Sequence, residues 1–446
     1  MPKSITAIAA RWIIPVEPAN TVFENHCVVF EDDIIIDIMP ISHISVSYPN
    51  ADIKKYSNHI LIPGLVNSHT HAAMSLLRGL ADDLPLMDWL NNHIWPVEMK
   101  HVGEEFMRDG SELAIAEMLL GGTTCFNDMY FFPDIVAETA QKQGIRAVVG
   151  MIIIDFPSAW AQDADEYFNK GIAVKDACNS MPLVNTTFAP HAPYTVNDDN
   201  LNRVRMMADE MLVPVHIHLH ETAHEVTESE NMLGKRPIQR LEELGLLNPR
   251  LLAVHMTQLN ENEIELIAKK GVHVVHCPES NLKLNSGFCP IGKLIEAGVN
   301  VTLGTDGAAS NNDLDMLGEM RTAALLGKAV ADDATAVPAH TALAMATING
   351  AKALGLDKQI GSLEIGKQAD IVAIDLDHVS TQPVYDPIAQ IVYSVSREQV
   401  SDVWVAGKQK VRNKKLIDID ESELIYKAQM WAKKINSPVD SGQEPK

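Results

Sequence analysis

The sequence predicts an α/β chain: a (β/α)8 TIM-type barrel with a small β-sandwich built from both chain ends. Three observations carry this. Eight Val/Ile-rich runs alternate with helical patterns through the middle of the chain, residues able to do chemistry stand at the end of nearly every run, and β-like material lies at both termini. A doubly wound sheet is the alternative that the same alternation admits.

The ends come first. Residues 5–16 and 26–39 are rich in Val and Ile, and Glu31-Asp32-Asp33 breaks the second run as a hairpin turn does. Residues 368–376 read as one strand and 400–411 as two short strands around Ala406-Gly407-Lys408. Neither end holds enough strands for an independent sheet, so the two are expected to meet. The expected division is 1–60 with 365–430 for the discontinuous sandwich and 61–364 for the barrel.

In the middle, the candidate strands are 61–68, 123–128, 146–153, 184–190, 213–219, 251–255, 272–277 and 299–304. Helical patterns at 104–120, 133–143, 200–211, 237–244, 262–270 and 290–297 separate them. Several end at glycine, at Gly121, Gly144, Gly245, Gly271 and Gly298, as helix C-termini prefer. Residues 437–446, rich in Ser, Pro, Gly and charge, read as a frayed tail.

Composition narrows the function. A chain of 446 residues with 46% apolar content suits a large barrel plus a smaller module. No apolar run reaches the roughly 18 residues of a membrane span. Met1-Pro2-Lys3-Ser4 lacks the start of a signal peptide, so a soluble cytoplasmic protein is expected. The net charge of −23 repels phosphate backbones and argues against nucleic acid as a partner. Cys27, Cys125, Cys178, Cys277 and Cys289 are dispersed with no CxxC pair, which reads as reduced thiols, with Cys125 and Cys277 packed in the core.

The chemistry lies at the strand ends. The first strand runs into His69-Thr70-His71, the second reaches Asp128, the third Asp155 and the fourth His191. The fifth carries His216, His218 and His220 and then Glu221; the sixth ends at His255, the seventh holds His273 and His276, and the eighth ends at Asp306. A barrel gathers all these ends at one mouth. His69 and His71, two apart on a strand, point the same way and make half of a metal site. A third histidine and a carboxylate would complete it and leave a position open for water. His216, His218 and His220 share one face by alternation, so spacing leaves His218 and His220 equally eligible. Glu221 breaks the alternation and faces the site only if the strand twists or ends there. Taken singly, His255 reads as a core histidine, and its place beside the other ligands is what makes it a candidate; Asp306, in Gly304-Thr305-Asp306-Gly307, reads as a ligand, with capping of the next helix as the alternative. His191, between prolines in Ala189-Pro190-His191-Ala192-Pro193, sits in a rigid loop fit to contact a ligand.

Two absences matter. The sequence has neither a GxxxxGK[ST] loop nor a GxGxxG fingerprint, so nucleotide phosphates and dinucleotides lack their usual cradle. The fourth strand ends Phe188-Ala189-Pro190-His191, without the lysine that would bridge two metals, so one metal fits better.

The motifs resemble the amidohydrolase superfamily. They are Pro63-Gly64-Leu65-Val66-Asn67-Ser68-His69-Thr70-His71, Ile217-His218-Leu219-His220-Glu221-Thr222, Val254-His255, Gly304-Thr305-Asp306-Gly307, and the closing Gly361-Ser362-Leu363-Glu364-Ile365-Gly366-Lys367-Gln368-Ala369-Asp370. The likeness spans nearly the whole chain. Within the superfamily it is strongest to the enzymes that deaminate 5′-methylthioadenosine and S-adenosylhomocysteine, which group with triazine and chlorohydrolase-like aminohydrolases. Asp88-Trp89-Leu90, Ile94-Trp95-Pro96-Val97-Glu98, Ala189-Pro190-His191-Ala192-Pro193-Tyr194 and Cys277-Pro278-Glu279-Ser280-Asn281 carry that narrower likeness.

The resemblance implies that His69, His71, His218 and Asp306 bind one divalent metal, usually zinc, with iron or manganese accepted by the same donors. It selects His218 over His220, because the metal histidine precedes the acidic residue by three. It implies that Glu98 and His191 contact a nucleoside, that Glu221, His255 and Asp306 handle protons, and that Glu221 and Asp306 also touch the substrate. The implied reaction is hydrolytic deamination of an adenine nucleoside thioether to the inosine analogue and ammonia, in a homo-oligomer. The rival readings are an aminohydrolase or chlorohydrolase of another ring (triazine, guanine or pterin), a cyclic amidase, which the missing lysine opposes, and a barrel that binds a ligand without chemistry.

Overall fold

The structure is a computed structural model and describes residues 4–437. Two eight-stranded sheets organise it. In the first, Leu65–Thr70, Thr123–Asp128, Arg146–Ile153, Val184–Pro190, Val215–Leu219, Leu251–His255, His273–His276 and Asn300–Leu303 lie side by side in chain order, all parallel. The last strand returns to the first. Asp306 N–H donates to the His69 carbonyl at 3.0 Å, and the Ser68 and Thr302 hydroxyls lie 2.8 Å apart. The sheet thus curls into a nearly closed barrel, and strands such as Arg146–Ile153 are buried along their whole length. That explains why they read as apolar runs without alternation.

Helices Glu104–Leu120, Pro133–Gln143, Asp198–Met211, Pro237–Glu243, Glu261–Lys270 and Ile291–Glu296 stand where the sequence predicts helical patterns. Side chains set their starts. Asn260 accepts from Glu263 N–H at 3.0 Å while Glu263 accepts from Asn260 N–H at 2.9 Å, a reciprocal cap. At the end of Glu104–Leu120, Gly121 keeps right-handed backbone, and Gly122, at φ +87°, makes the left-handed turn one residue later than expected. Helices Ala164–Cys178 and Met316–Ala331 were not anticipated. The first is only weakly amphipathic along its sequence, and the second is so rich in Ala and Leu that its apolar face does not stand out.

The second sheet is mixed and draws on both chain ends. Its central strand, Asp52–Pro63, pairs in parallel with Ile5–Ile13 on one side and antiparallel with Ile371–Asp375 on the other. Phe23–Glu31 and Ile34–Pro40 extend one edge; Val400–Val405, Lys408–Arg412 and Lys415–Leu416 extend the other. Alternation sends Ile8, Val28 and Phe30 to one face and Ala7, Ala9, Cys27 and Val29 to the other.

The predicted strand 61–68 is two strands in two sheets. Residues 61–63 finish Asp52–Pro63, and the barrel begins at Leu65. Gly64 is the joint. Its N–H donates to the Asp370 carbonyl at 3.0 Å, and a Cβ there would fall 1.9 Å from Thr124 Oγ1, so the two sheets approach too closely for any side chain. Nearby, fully buried Arg146 at the base of the third barrel strand reaches Asp370 Oδ1 at 3.2 Å and Gln368 Oε1 at 2.7 Å. A buried cation is thereby shared between the sheets.

Helix Glu421–Asn436 folds back on the barrel, where Trp431 Nε1 donates to Asp109 Oδ2 at 2.9 Å. The expected tail lies, from residue 438 on, outside the described residues. All five cysteines are free and buried. No helix among the described residues is long and apolar enough to cross a membrane.

Candidate active site

At the mouth of the barrel, His71, His218, Glu221, His255 and Asp306 line a cavity of about 440 Å³ that also touches Glu98 and His191. His69 lies fully buried beneath its floor. The first, fourth, fifth, sixth and eighth barrel strands therefore deliver the predicted residues to one place, together with Glu98 from the short helix Trp95–His101.

The ligand atoms converge. His69 Nε2 is 3.2 Å from His218 Nε2 and 3.3 Å from Asp306 Oδ1, and His71 Nε2 is 3.2 Å from the same oxygen. Tautomers explain what they offer. His218 Nδ1 lies 2.8 Å from the His191 carbonyl, and His71 Nδ1 bonds the Met129 carbonyl. A carbonyl only accepts, so each Nδ1 carries the proton and each Nε2 turns a lone pair toward the others. Lone pairs facing a carboxylate without a donor between them repel unless a cation sits among them. His69, His71 and Asp306, and His69 with His218 and His255, each place ligand atoms within 4.8 Å of one another. The donor set fits a single divalent cation, with nitrogen and oxygen ligands and room for water.

Burial lowers His69 to about 4 and His218 well below the usual range, which favours their neutral forms. Burial opposes protonation of His71 too, but the Asp306 carboxylate outweighs it and pushes His71 up to about 9, so without a cation His71 Nε2 would hold a second proton toward Asp306, and a bound cation would take that proton's place. Asp306 itself resists burial and is held well below the usual carboxylate range by His69 and His71. Ser280 Oγ donates to its other oxygen at 2.6 Å.

The fifth strand resolves the choice that spacing leaves open. His216 and His218 keep the alternation, and His216 Nε2 lies 2.9 Å from His69 Nδ1, under the floor. His220 leaves it. Its φ is +52°, its Nδ1 lies 3.1 Å from the Gln258 carbonyl, and its Nε2 accepts from Ile238 N–H at 3.1 Å. Both ring nitrogens of His220 are spent, so it has no lone pair for a metal. The same left-handed step swings Glu221 onto the cavity wall, where its Oε2 is 3.9 Å from His255 Nε2. Burial raises the Glu221 carboxyl, favouring the protonated form. His255 (φ +74°) and Asp306 (φ +61°) are also left-handed. Such backbone costs on the order of 1–3 kcal/mol per residue and gathers at functional sites.

Several contributors carried no signal in their own spacing. Asn281 Oδ1 lies 2.9 Å from His255 Nδ1, which puts the proton there and leaves Nε2 facing Glu221. Tyr130 donates to Glu98 Oε1, and burial raises the Glu98 carboxyl. Ser280 and Asn281 fall in the stretch 277–281 noted above, but nothing in that stretch says which strand end it faces. Other strand-end residues stay apart. Asp128 Oδ1 accepts from Ala72 N–H at 2.7 Å, and Asp155 holds Asn197 N–H at 2.6 Å and Asn200 Nδ2 at 2.7 Å, so both brace loops. His273 Nε2 turns to the Pro249 carbonyl at 3.1 Å.

Known proteins are similar to this chain in sequence and fold. Residues 60–410 match the profile of the amidohydrolase family. A 5-methylthioadenosine/S-adenosylhomocysteine deaminase of Teredinibacter turnerae is 52% identical over 97% of this chain and 98% of its own. A 5′-deoxyadenosine deaminase of Methanopyrus kandleri is 43% identical over 86% of this chain and 89% of its own. The crystal structure of an adenosine deaminase from Xanthomonas campestris with bound zinc superposes with a TM-score of 0.94 at 53% identity, covering 96% of this chain and 98% of that one.

Proposed function

The chain belongs to the amidohydrolase family and is a metal-dependent hydrolase acting on C–N bonds, and from that premise we propose that it deaminates adenine nucleoside thioethers, 5′-methylthioadenosine or S-adenosylhomocysteine, to the inosine analogue and ammonia. The observation that carries this is the floor of the cavity: Nε2 of His71 and His218 and Oδ1 of Asp306 meet around His69, with a buried Glu221 alongside and Glu98 at the wall. His69, His71, His218 and Asp306 would hold the metal, which we take to be zinc, as in the Xanthomonas protein. When bound, it supplies Lewis acidity that brings the pKa of water toward neutrality.

The side chains do the rest. His255, its Nδ1 proton fixed on Asn281, presents the Nε2 lone pair and takes a proton from the attacking water. Asp306, steadied by Ser280, orients that water. A C–O bond forms at the ring carbon bearing the amino group, and electron density builds on the adjacent ring nitrogen. Glu221, whose carboxyl burial raises toward the protonated form, donates to that nitrogen. His255 or Asp306 returns a proton to the amine, the new hydroxyl gives up its remaining proton, which restores Glu221 to its acid form, and the C–N bond breaks as C=O forms and ammonia leaves. Glu98 accepts from the ribose hydroxyls, favouring nucleosides over free bases, and His191 lines the same wall. Five buried thiols suit a reducing compartment, so we place the protein in the cytoplasm, and we take it to be a homo-oligomer.

The test is ammonia and chloride release by the zinc-loaded protein from methylthioadenosine, S-adenosylhomocysteine, adenosine, guanine and a chlorotriazine. Chelator-sensitive ammonia release from the adenine nucleosides is the expected result. Turnover of guanine or the triazine alone would move the substrate to another branch of the family.

A further inference from the structure

The cavity wall that follows Glu98 has a definite chemistry. Glu98 lies on helix Trp95–His101 three residues after Trp95, so the two side chains share a helix face, and both line the cavity beside Met99. Trp89, Leu90 and Phe156 extend the same wall. A sugar held by Glu98 would therefore project its 5′ substituent onto aromatic and apolar side chains. A thioether sulfur packs well on such a surface.

Charge is the second half of the argument. Among the described residues lining this cavity there is no lysine and no arginine, and its ionisable wall groups away from the floor are Glu98, His191 and two tyrosines. His191 Nδ1 lies 3.1 Å from Thr195 Oγ1, so that nitrogen is taken up within the wall. The adjoining cavity of about 520 Å³, which shares Leu86, Phe156, Tyr194 and Glu221, offers no relief. Its acids are Asp155, Glu221, Glu225 and Glu228, and its basic side chains are Arg240 and one imidazole, His224. That guanidinium is buried and committed to Asp198 Oδ1 at 2.6 Å, the Val196 carbonyl at 2.9 Å and the Pro193 carbonyl. A carboxylate entering either space loses water and meets no lysine and no unpaired arginine, which is unfavourable.

We propose that this site favours nucleosides whose 5′ substituent carries no carboxylate and discriminates against a substituent that ends in one. Methylthioadenosine and 5′-deoxyadenosine then belong to its preferred class and S-adenosylhomocysteine does not. This rests on the deaminase reading of the same cavity.

The experiment compares kcat/KM of the zinc-loaded enzyme on methylthioadenosine, S-adenosylhomocysteine and the latter lacking only its carboxylate. Methylthioadenosine should exceed S-adenosylhomocysteine by about 100-fold, mostly in KM, with the decarboxylated analogue recovering to within about 10-fold of methylthioadenosine. Equal turnover of all three overturns the selectivity while leaving the deaminase reading intact. A decarboxylated analogue as poor as its parent also overturns it, because length and not charge would then discriminate. Ammonia from none of the three, with release from another ring, brings down the deaminase reading and this inference together.

Discussion

The two ends of the barrel bury polar groups for opposite purposes. At the base, Arg146 is enclosed with Asp370 and Gln368, and Ala406 N–H adds a bond to Asp370 Oδ1 at 2.7 Å. Opposite charges there neutralise one another and join two sheets. At the mouth, His69, His71, His218 and Asp306 turn lone pairs and a negative charge toward one point. The base pairs opposite charges, although Arg146 Nε and Nη1 and Asp370 Oδ2 find no further partner there, whereas the mouth turns like-signed atoms on one another and needs a cation. Burial alone does not mark a functional site; what marks it is buried ligand atoms of one sign converging beside a cavity.

The largest effect should come from removing a mouth ligand. His69→Ala should lose nearly all bound metal and about 10⁴-fold or more in kcat/KM while remaining folded, which metal analysis and circular dichroism check. Full metal occupancy in that variant would break the contrast between the two ends.

Next is Glu221→Gln, which should keep the metal and lose about 10²–10⁴-fold in kcat. Near-normal turnover would remove the proton-donor role. The wild-type pH profile sharpens this. Burial raises the Glu221 carboxyl, so the protonated, active form persists above the ordinary carboxylate range. As pH rises through the shifted value the proton is lost, and kcat/KM should fall on that alkaline limb. A profile flat into the alkaline range would contradict the assignment.

At the base, Arg146→Met should cost about 3–5 kcal/mol of stability in denaturant titration, because it strands Asp370, and should leave kcat/KM of the folded fraction within about twofold. The double variant Arg146→Met/Asp370→Leu should recover much of that loss. A change in metal affinity would mean that the two ends are coupled.

The smallest effect tests neighbours within the mouth. His220→Gln should keep the metal and lose about 1–3 kcal/mol of stability, the cost of two buried hydrogen bonds. Loss of metal would reverse the choice of His218 over His220.

That choice shows where sequence reading stops. Barrel strands and their ends are legible because buried parallel strands are short apolar runs and a chemistry-bearing residue at such an end is conspicuous, as at His69, His255 and Asp306. Alternation cannot separate His218 from His220, because the deciding event is a left-handed step at His220 that its side chain does not announce. The segment 61–68 reads as one strand because Leu61 and Leu65 are equally apolar; only the packing of Gly64 against Thr124 shows that the chain changes sheets there. Tyr130, Ser280 and Asn281 act on residues far away in sequence, and no local pattern reports such a partner.

The joint between the sheets also orders events during synthesis. Asp370 stands 224 residues after Arg146, and the strand Asp52–Pro63 receives its partner Ile371–Asp375 only after the whole barrel has left the ribosome. Until then the growing chain holds an uncompensated arginine and one open strand edge, both features that invite mispairing with other chains. A messenger truncated between Asp306 and Asp370 would thus encode every metal ligand and yet release a product prone to aggregate.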